Sequence, residues 1–87
     1  MKWIRYFDGR LYQDSIFNLD FCKKIALGIP DRDGNNSIYA VMNTDEIHHI
    51  ANKLSEKEAK TILSSIEEFI SSDKNILEIK IRDVIDV

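Results

Sequence analysis

The sequence predicts an α+β domain, in which one long helix packs on one face of a two-layer antiparallel β-sheet and a C-terminal strand completes the sheet. Three observations support this prediction. The first half of the chain alternates apolar and polar residues, as strands with one buried face do. A capped amphipathic helix follows, and a short alternating apolar run comes after the helix. With 87 residues, of which 44% are apolar, we expect a single domain spanning residues 1–87.

The N-terminal residues predict a β-hairpin. The runs Trp3–Phe7 and Arg10–Tyr12 are rich in aromatic and β-branched residues, which favour strands. Asp8-Gly9 separates them, and this dipeptide accepts the positive φ angles of a two-residue hairpin turn. We therefore expect the two runs to pair across that turn.

A second hairpin is predicted after the first. Between Phe17 and Ile29, the large apolar residues fall on odd positions and only Lys23 breaks the series, which indicates a strand with a bend near Asn18–Asp20. The segment 30–37 is dense in turn-forming residues and predicts a loop. Ile38–Met42 then predicts a strand that pairs antiparallel with Phe21–Ile29.

The segment Ile47–Leu54 fits two structures. As a helix, it would present one apolar stripe formed by Ile47, Ile50, Ala51 and Leu54. As a strand, it would place His48 and His49 on opposite faces. We favour the strand, because it adds a member to the sheet directly before the helix.

The clearest local signal is a helix N-terminus at Ser55. The serine hydroxyl can accept a hydrogen bond from the backbone of Glu58, while the Glu58 carboxylate can accept one from the backbone of Ser55. The helix is predicted over Glu56–Ser72. Its apolar stripe consists of Ala59, Ile62, Leu63, Ile66, Phe69 and Ile70. Ile76–Ile81 predicts the last strand, with its apolar residues on one side.

Composition argues against nucleic acid and membranes as partners. The net charge is -3 and the longest basic run is Lys23-Lys24, whereas duplex binding depends on clustered cations. The alternative, a nucleic-acid-binding surface on one sheet face, would use aromatic residues with Arg5, Arg10, Lys23, Lys24 and Arg32. No signal peptide or membrane span is recognisable, and the single cysteine forms no internal disulfide, so we expect a cytoplasmic protein.

No cofactor, metal or catalytic residue is predicted. Cys22, His48 and His49 are too few for a structural zinc site, and neighbouring strand histidines cannot chelate one ion together. On a helix, Glu46 and His49 would share a face, which is the E-x-x-H spacing of di-iron bundles. The loop Asp31–Asn35 lacks two essential ligands of an EF-hand, so we interpret it as a surface turn. A small enzyme that uses Cys22 or the histidines is the third functional hypothesis.

The favoured hypothesis is a non-enzymatic protein-interaction module. Trp, Tyr and Arg, the residue types that dominate protein interfaces, concentrate near the N-terminus. A small open sheet also presents unpaired backbone groups at its edges, and Ile76–Ile81 is the candidate edge. We expect the partner to be a protein or a second copy in a homodimer. The candidate partner-binding residues are Trp3, Arg5, Tyr6, Arg10, Tyr12, Ile79 and Ile81.

The segments MKWIRYFDGRLYQDSIFNLDFCKKIAL and SEKEAKTILSSIEEFI resemble small uncharacterised bacterial and phage proteins. Those proteins are built from a few antiparallel strands and one helix. The resemblance implies this fold and no activity or functional residue. With the abundance of Ile, Lys, Asn and Asp, it favours a phage or mobile-element inhibitor of a host protein as a variant of the interaction hypothesis.

Overall fold

A computed structural model of the chain describes residues 1–10 and 13–81. In chain order, the elements of this part are β1 (Trp3–Asp8), β2 (Gln13–Asn18), β3 (Cys22–Leu27), β4 (Asn36–Met42), β5 (Ile47–Leu54), α1 (Glu56–Ile70) and β6 (Ile76–Ile81). A short 3-10 turn at Leu19–Phe21 joins β2 to β3. The predicted α+β class is confirmed.

The strands divide into two three-stranded sheets, where the sequence predicts a single one. Sheet 1 has the order β2-β1-β6, and sheet 2 has the order β3-β4-β5. All neighbours are antiparallel except β1 and β6, which are parallel because α1 carries the chain back to the start of β1. The helix contacts β3, β4, β5 and β6. It therefore packs against both sheets.

One hydrophobic cluster joins the two sheets and the helix. Its buried members are Ile4, Tyr6, Ile38, Ala40, Ile50, Ala51, Leu54, Ala59, Ile62, Ile66, Phe69, Ile79 and Ile81. The predicted helix stripe supplies four of these residues, Leu63 packs against them partly buried, and Ile70 is 52% exposed. The predicted C-terminal strand is confirmed, and its inward residues Ile79 and Ile81 belong to this core.

The N-terminal hairpin forms with a different second strand from the one predicted. β1 pairs with Gln13–Asn18, and the ladder closes at Asp8 opposite Gln13, so the connection is longer than two residues. Arg10 lies in the turn, while Leu11 and Tyr12 lie outside the described residues. The Asp8 carboxylate accepts hydrogen bonds from the backbone and guanidinium of Arg10. This interaction holds the chain in a wider turn.

The predicted strand from Phe17 to Ile29 is interrupted at the expected bend. The side chain of Asn18 accepts a hydrogen bond from the backbone of Asp20 and starts the 3-10 turn, which moves the chain from sheet 1 to sheet 2. A register shift between Cys22 and Lys24 then changes which residues of β3 face inward. For these reasons Phe21, at 61% exposure, is not part of the core.

The segment Ile47–Leu54 is a strand, which confirms the favoured interpretation. Its pairing with β4 shifts by one residue between Ile38 and Tyr39, and again between Asn36 and Ile38. These bulges place Ile50 and Ala51 inward together, so strict alternation fails there. The second shift accompanies the positive φ of 53° at Lys53.

The predicted capping box at Ser55 is present, with both of its hydrogen bonds. We expect Ser55→Ala to lower the free energy of unfolding by about 1 kcal/mol, because the backbone N–H of Glu58 loses its acceptor. Urea denaturation followed by circular dichroism measures the change. Ser64→Ala, at an exposed position inside α1, is the control and should leave stability equal or slightly higher. Equal losses in the two variants would contradict the assigned cap.

Candidate partner-binding edge

Among the described strands, β6 ends sheet 1 on the side opposite β2, and the sequence predicted that it would be an edge. We call the side of Ile76–Ile81 that faces away from β1 the β6 edge. Beside it lies an open groove of about 410 Å³ between the strand and the helix, which we call the α1/β6 groove. Its floor is apolar and its rim is polar. The lining residues are Lys57, Glu58, Thr61, Ile62, Ser65, Leu77, Glu78, Ile79, Lys80 and Ile81.

The start of β6 is fixed in place by the N-terminus of the chain. The Lys2 ammonium donates hydrogen bonds to the carbonyls of Phe69, Ser72 and Lys74, at 3.1, 2.8 and 2.7 Å. It also lies 4.6 Å from the centroid of the Phe69 ring. Cations favour the carbonyl end of a helix, so Lys2 ties the end of α1 to the residues that lead into β6.

The ladder to β1 shows which backbone groups of β6 face the free edge. The N–H of Trp3 donates to the carbonyl of Asn75 at 2.8 Å. The N–H of Gly9 donates to the carbonyl of Ile81 at 3.0 Å. Because the N–H and C=O groups of successive strand residues alternate between the two sides, odd-numbered residues of β6 face β1. The residues with N–H and C=O groups directed to the β6 edge are Ile76, Glu78 and Lys80.

The side chains of β6 separate into two rows. Leu77, Ile79 and Ile81 face the helix and the core, and Ile79 and Ile81 are each 7% exposed. Ile76, Glu78 and Lys80 are exposed on the opposite side of sheet 1, which we call the outer face. An added strand would therefore meet apolar side chains on the helix side and charged ones on the outer face.

β6 differs from the other described strands that end a sheet. The edge strands β3 and β5 carry register shifts, and such bulges discourage pairing with another strand. β2 is regular, but it shares a small cavity of about 180 Å³ with His48, His49 and Ile50 of β5. The pairing of β6 with β1 runs in continuous register over the whole strand. Among the described edges, β6 combines a regular ladder with an open groove.

The structure separates the residues predicted to bind a partner. Tyr6 is 1% exposed and lies in the core with Ile79 and Ile81, so their side chains are not available at the surface. Trp3 and Arg5 lie on the outer face, beside Ile76 and Glu78 of β6 respectively. Tyr12 lies outside the described residues. The backbone of β6 and the outer face thus remain as the candidate surfaces.

Arg10 belongs to a buried polar cluster rather than to an open surface. Its guanidinium donates to both oxygens of the Asp8 carboxylate, at 3.0 and 2.8 Å, and to the carbonyls of Asn52 and Lys53. The Tyr6 hydroxyl donates to the same carboxylate at 3.0 Å. Hydrogen bonds from Arg10 hold the pKa of Asp8 below its ordinary value, while burial and the adjacent carboxylate raise the pKa of Tyr6. The cluster links the first hairpin of sheet 1 to the bulge in β5.

The cations of the nucleic-acid hypothesis do not share one sheet face. Arg5 lies in sheet 1, Lys23 and Lys24 lie in sheet 2, and Arg10 and Arg32 lie in turns. Carboxylates within residues 1–10 and 13–81 engage three of the five: Asp14 engages Arg5 at 2.8 Å, Asp8 engages Arg10 at 2.8 Å, and Asp45 engages Lys23. A bound phosphate would have to displace these acids.

The residues of the enzyme hypothesis are not brought together either. Cys22 lies in β3 and the histidines lie in β5, and β4 runs between those strands. Two strand spacings separate their backbones by about 10 Å. The Cys22 thiol is 3.1 Å from the carbonyl of Lys24, and His48 Nε2 lies 3.4 Å from Glu46 Oε2. No group of three or more His, Cys, Asp or Glu side chains in residues 1–10 and 13–81 is arranged to hold a metal ion.

The loop after β3 is a surface turn, as predicted. Its Asp31 carboxylate accepts hydrogen bonds from the backbones of Asp33 and Asn35, each at 2.9 Å. These hydrogen bonds lower the pKa of Asp31, with Asn35 the larger contributor. Gly34 has a φ of 79°, which explains glycine at that position. The residues that suggest calcium chemistry are turn-forming residues here.

Sequence patterns identify β6 as a strand at the end of a sheet, but not the residues that α1 places beside it. Alternation places Glu78 and Lys80 on the exposed side of a strand, and it says nothing about the polar rim that α1 contributes. The sequence feature that points to the charged side of β6 is the placement of Glu78 and Lys80 between the apolar residues of the last strand. The Asp8 cluster is not predicted either, because Asp8-Gly9 indicates only a turn.

No protein-family model matches the chain, and neither a curated protein nor a solved structure shows significant similarity to it. The resemblance to small phage and bacterial proteins therefore stays a prediction. Within the described residues, no helix has the length and apolar character that crossing a membrane requires.

Proposed function

We propose that the chain is a non-enzymatic protein-interaction module that binds an extended protein segment as an additional strand on β6. The observation that carries this proposal is the regular β6 edge, which opens directly onto the α1/β6 groove. Main-chain hydrogen bonds to Ile76, Glu78 and Lys80 would supply affinity, as in other cases of strand addition. A cytoplasmic location and a phage or mobile-element origin belong to the same proposal and rest on the sequence alone.

The groove also defines what the partner's side chains should be. Side chains of an added strand alternate between the two faces of the sheet. Those on the helix side would lie beside the partly buried Leu77 and the hydroxyls of Thr61 and Ser65, which favours small or medium apolar residues. Those on the outer face would lie beside Glu78 and Lys80, which favours charged residues. The expected ligand is therefore an alternating apolar and charged segment.

Peptide selection tests strand addition and does not require the identity of the natural partner. A displayed library of random peptides of about ten residues would be selected against the immobilised wild-type protein. Selected peptides should bind Glu78→Pro at least about tenfold more weakly, because proline removes the outward N–H at the centre of the edge. Glu78→Gln keeps that N–H and should lose less affinity. Binding would be measured by fluorescence anisotropy with each selected peptide.

Amide hydrogen exchange supplies the matching structural readout. In the complex with a selected peptide, the amides of Glu78 and Lys80 should exchange at least about tenfold more slowly than in the free protein. The proposal is overturned if no peptide is selected. It is equally overturned if the selected peptides bind Glu78→Pro as tightly as the wild type.

A further inference from the structure

We infer, on the basis of the proposed function, that the segment added to β6 is β6 of a second copy of the chain. The two strands would run antiparallel about a two-fold axis at Ile79. Sheet 1 of each copy would then continue into the other, giving one six-stranded sheet across the dimer. This inference goes beyond strand addition in general, because it names the partner and its register.

The backbone restricts how two copies can pair. The residues facing the β6 edge are even-numbered, so each must lie opposite another even-numbered residue for the N–H and C=O groups to meet. Two-fold axes at Leu77, Glu78, Ile79 and Lys80 satisfy this condition and pair at least three residues of the strand. The side chains of the outer face distinguish the four registers.

Charge selects the register centred on Ile79. An axis at Glu78 would place two Glu78 carboxylates directly opposite each other, and an axis at Lys80 would do the same with two ammonium groups, so both are unfavourable. An axis at Leu77 would place Glu78 opposite Ile76 and leave its charge without a partner in the second copy. The axis at Ile79 places Glu78 opposite Lys80 of the second copy. By symmetry, Lys80 lies opposite Glu78 of the second copy, so the dimer contains two such pairs. Opposite charges at directly facing positions stabilise strand pairing.

The helix side of the strand is complementary in the same register. Ile79 would lie opposite Ile79 of the second copy, and Leu77 would lie opposite Ile81 of the second copy. Leu77 is partly buried, while Ile79 and Ile81 are buried. The open α1/β6 groove provides space beside these side chains. The register therefore pairs apolar with apolar residues on one face and acid with base on the other.

The contact area predicts a weak, concentration-dependent dimer. One strand pair with its groove contacts is smaller than the roughly 800 Å² per partner of a standard stable interface. Sedimentation velocity from about 1 µM to about 1 mM should therefore show a monomer converting to a dimer. A monomer over the whole range overturns the inference.

Charge variants test the register. Glu78→Lys gives the edge two cations and Lys80→Glu gives it two anions, so each variant faces like charges in its own dimer. Each should weaken self-association roughly tenfold or more. An equimolar mixture of the two variants should restore dimerisation, and so should the double variant Glu78→Lys/Lys80→Glu. Thermal unfolding of each variant checks that the fold is intact.

The outcomes separate this inference from the proposed function. Dimers that neither charge variant weakens, or mixtures that do not associate, overturn the register. Another outcome is a wild type that stays monomeric and still binds selected peptides that do not bind Glu78→Pro. In that case the partner is a different protein and strand addition stands. If both the dimer and peptide binding are absent, both proposals are overturned.

Discussion

Asp8→Ala should lower the free energy of unfolding by about 3 kcal/mol, because it removes one partner of a buried ion pair. The Asp8 side chain is fully buried and accepts hydrogen bonds from the guanidinium of Arg10 and the hydroxyl of Tyr6. Alanine would leave the cation with the carbonyls of β5 and the charge of Glu58, and the hydroxyl without this acceptor. Urea denaturation at neutral pH measures the loss.

Asp14→Ala is a matched control for Asp8→Ala. Like Asp8, Asp14 lies in the first hairpin and accepts hydrogen bonds from an arginine through both carboxylate oxygens. Its partner is Arg5, and the two nitrogen–oxygen distances are 3.1 and 2.8 Å. Its side chain is 48% exposed, and that of Arg5 is 53% exposed. Exposed ion pairs contribute between 0 and about 1 kcal/mol, so Asp14→Ala should have a much smaller effect. Similar losses in the two variants would contradict the buried role of Asp8.

The same cluster predicts how stability depends on pH. The pKa of Asp8 in the folded protein lies below its ordinary value of 3.8, chiefly because of hydrogen bonds from Arg10. A depressed carboxylate pKa stabilises the fold above the unfolded-state value, and this contribution is lost as pH falls through the folded-state value. The difference in stability between wild type and Asp8→Ala should therefore be largest near pH 7 and shrink below about pH 4. Urea titrations at several pH values measure this difference.

The elements that sequence patterns predict well here are those specified by local chemistry. The Ser55 cap, the apolar stripe of α1 and the turn at Asp31 and Gly34 each depend on residues close together in the chain. Their hydrogen bonds form within a few residues, so spacing alone identifies them. The strand at Ile47–Leu54 was predictable for another reason, since the helix that follows it needs sheet surface to cover.

The elements that sequence patterns misplace depend on contacts between distant residues. The first hairpin has a wider connection than Asp8-Gly9 predicts, because the carboxylate of Asp8 holds Arg10, which in turn reaches the carbonyls of Asn52 and Lys53. The bulges of β5 likewise shift residues that alternation would place on opposite faces. Neither contact leaves a periodic signal in the sequence.

The candidate site shows the same division. Alternation in Ile76–Ile81 predicts a strand with an apolar side, and the strand forms with that side buried. It does not predict that β6 pairs with β1 in parallel, or that α1 leaves a groove beside it. Alternation also does not tell which residues of β6 direct their N–H and C=O groups toward β1. That backbone phase follows from the hydrogen bonds that the N–H groups of Trp3 and Gly9 donate to Asn75 and Ile81.

That backbone phase makes the same substitution harmful at one position of β6 and tolerable at the next. Ile79→Pro removes an N–H that faces β1, and it also replaces a core side chain that is 7% exposed. We expect it to lower the free energy of unfolding by about 4 kcal/mol or more. A loss of this size is comparable with the whole stability of a small domain, so most of the molecules should be unfolded. Glu78→Pro removes an N–H directed away from the sheet, so its cost should stay within about 1 kcal/mol.

Urea denaturation and circular dichroism of both proline variants measure this contrast, and Ile79→Ala separates the loss of the side chain from the loss of the N–H. Ile79→Ala should cost about 2 to 4 kcal/mol, and Ile79→Pro should cost more. If Glu78→Pro unfolds the protein while Ile79→Pro folds, the backbone of β6 has the opposite phase. The N–H and C=O groups of Glu78 would then be used by β1, and the edge hydrogen bonds assigned to Ile76, Glu78 and Lys80 could not form.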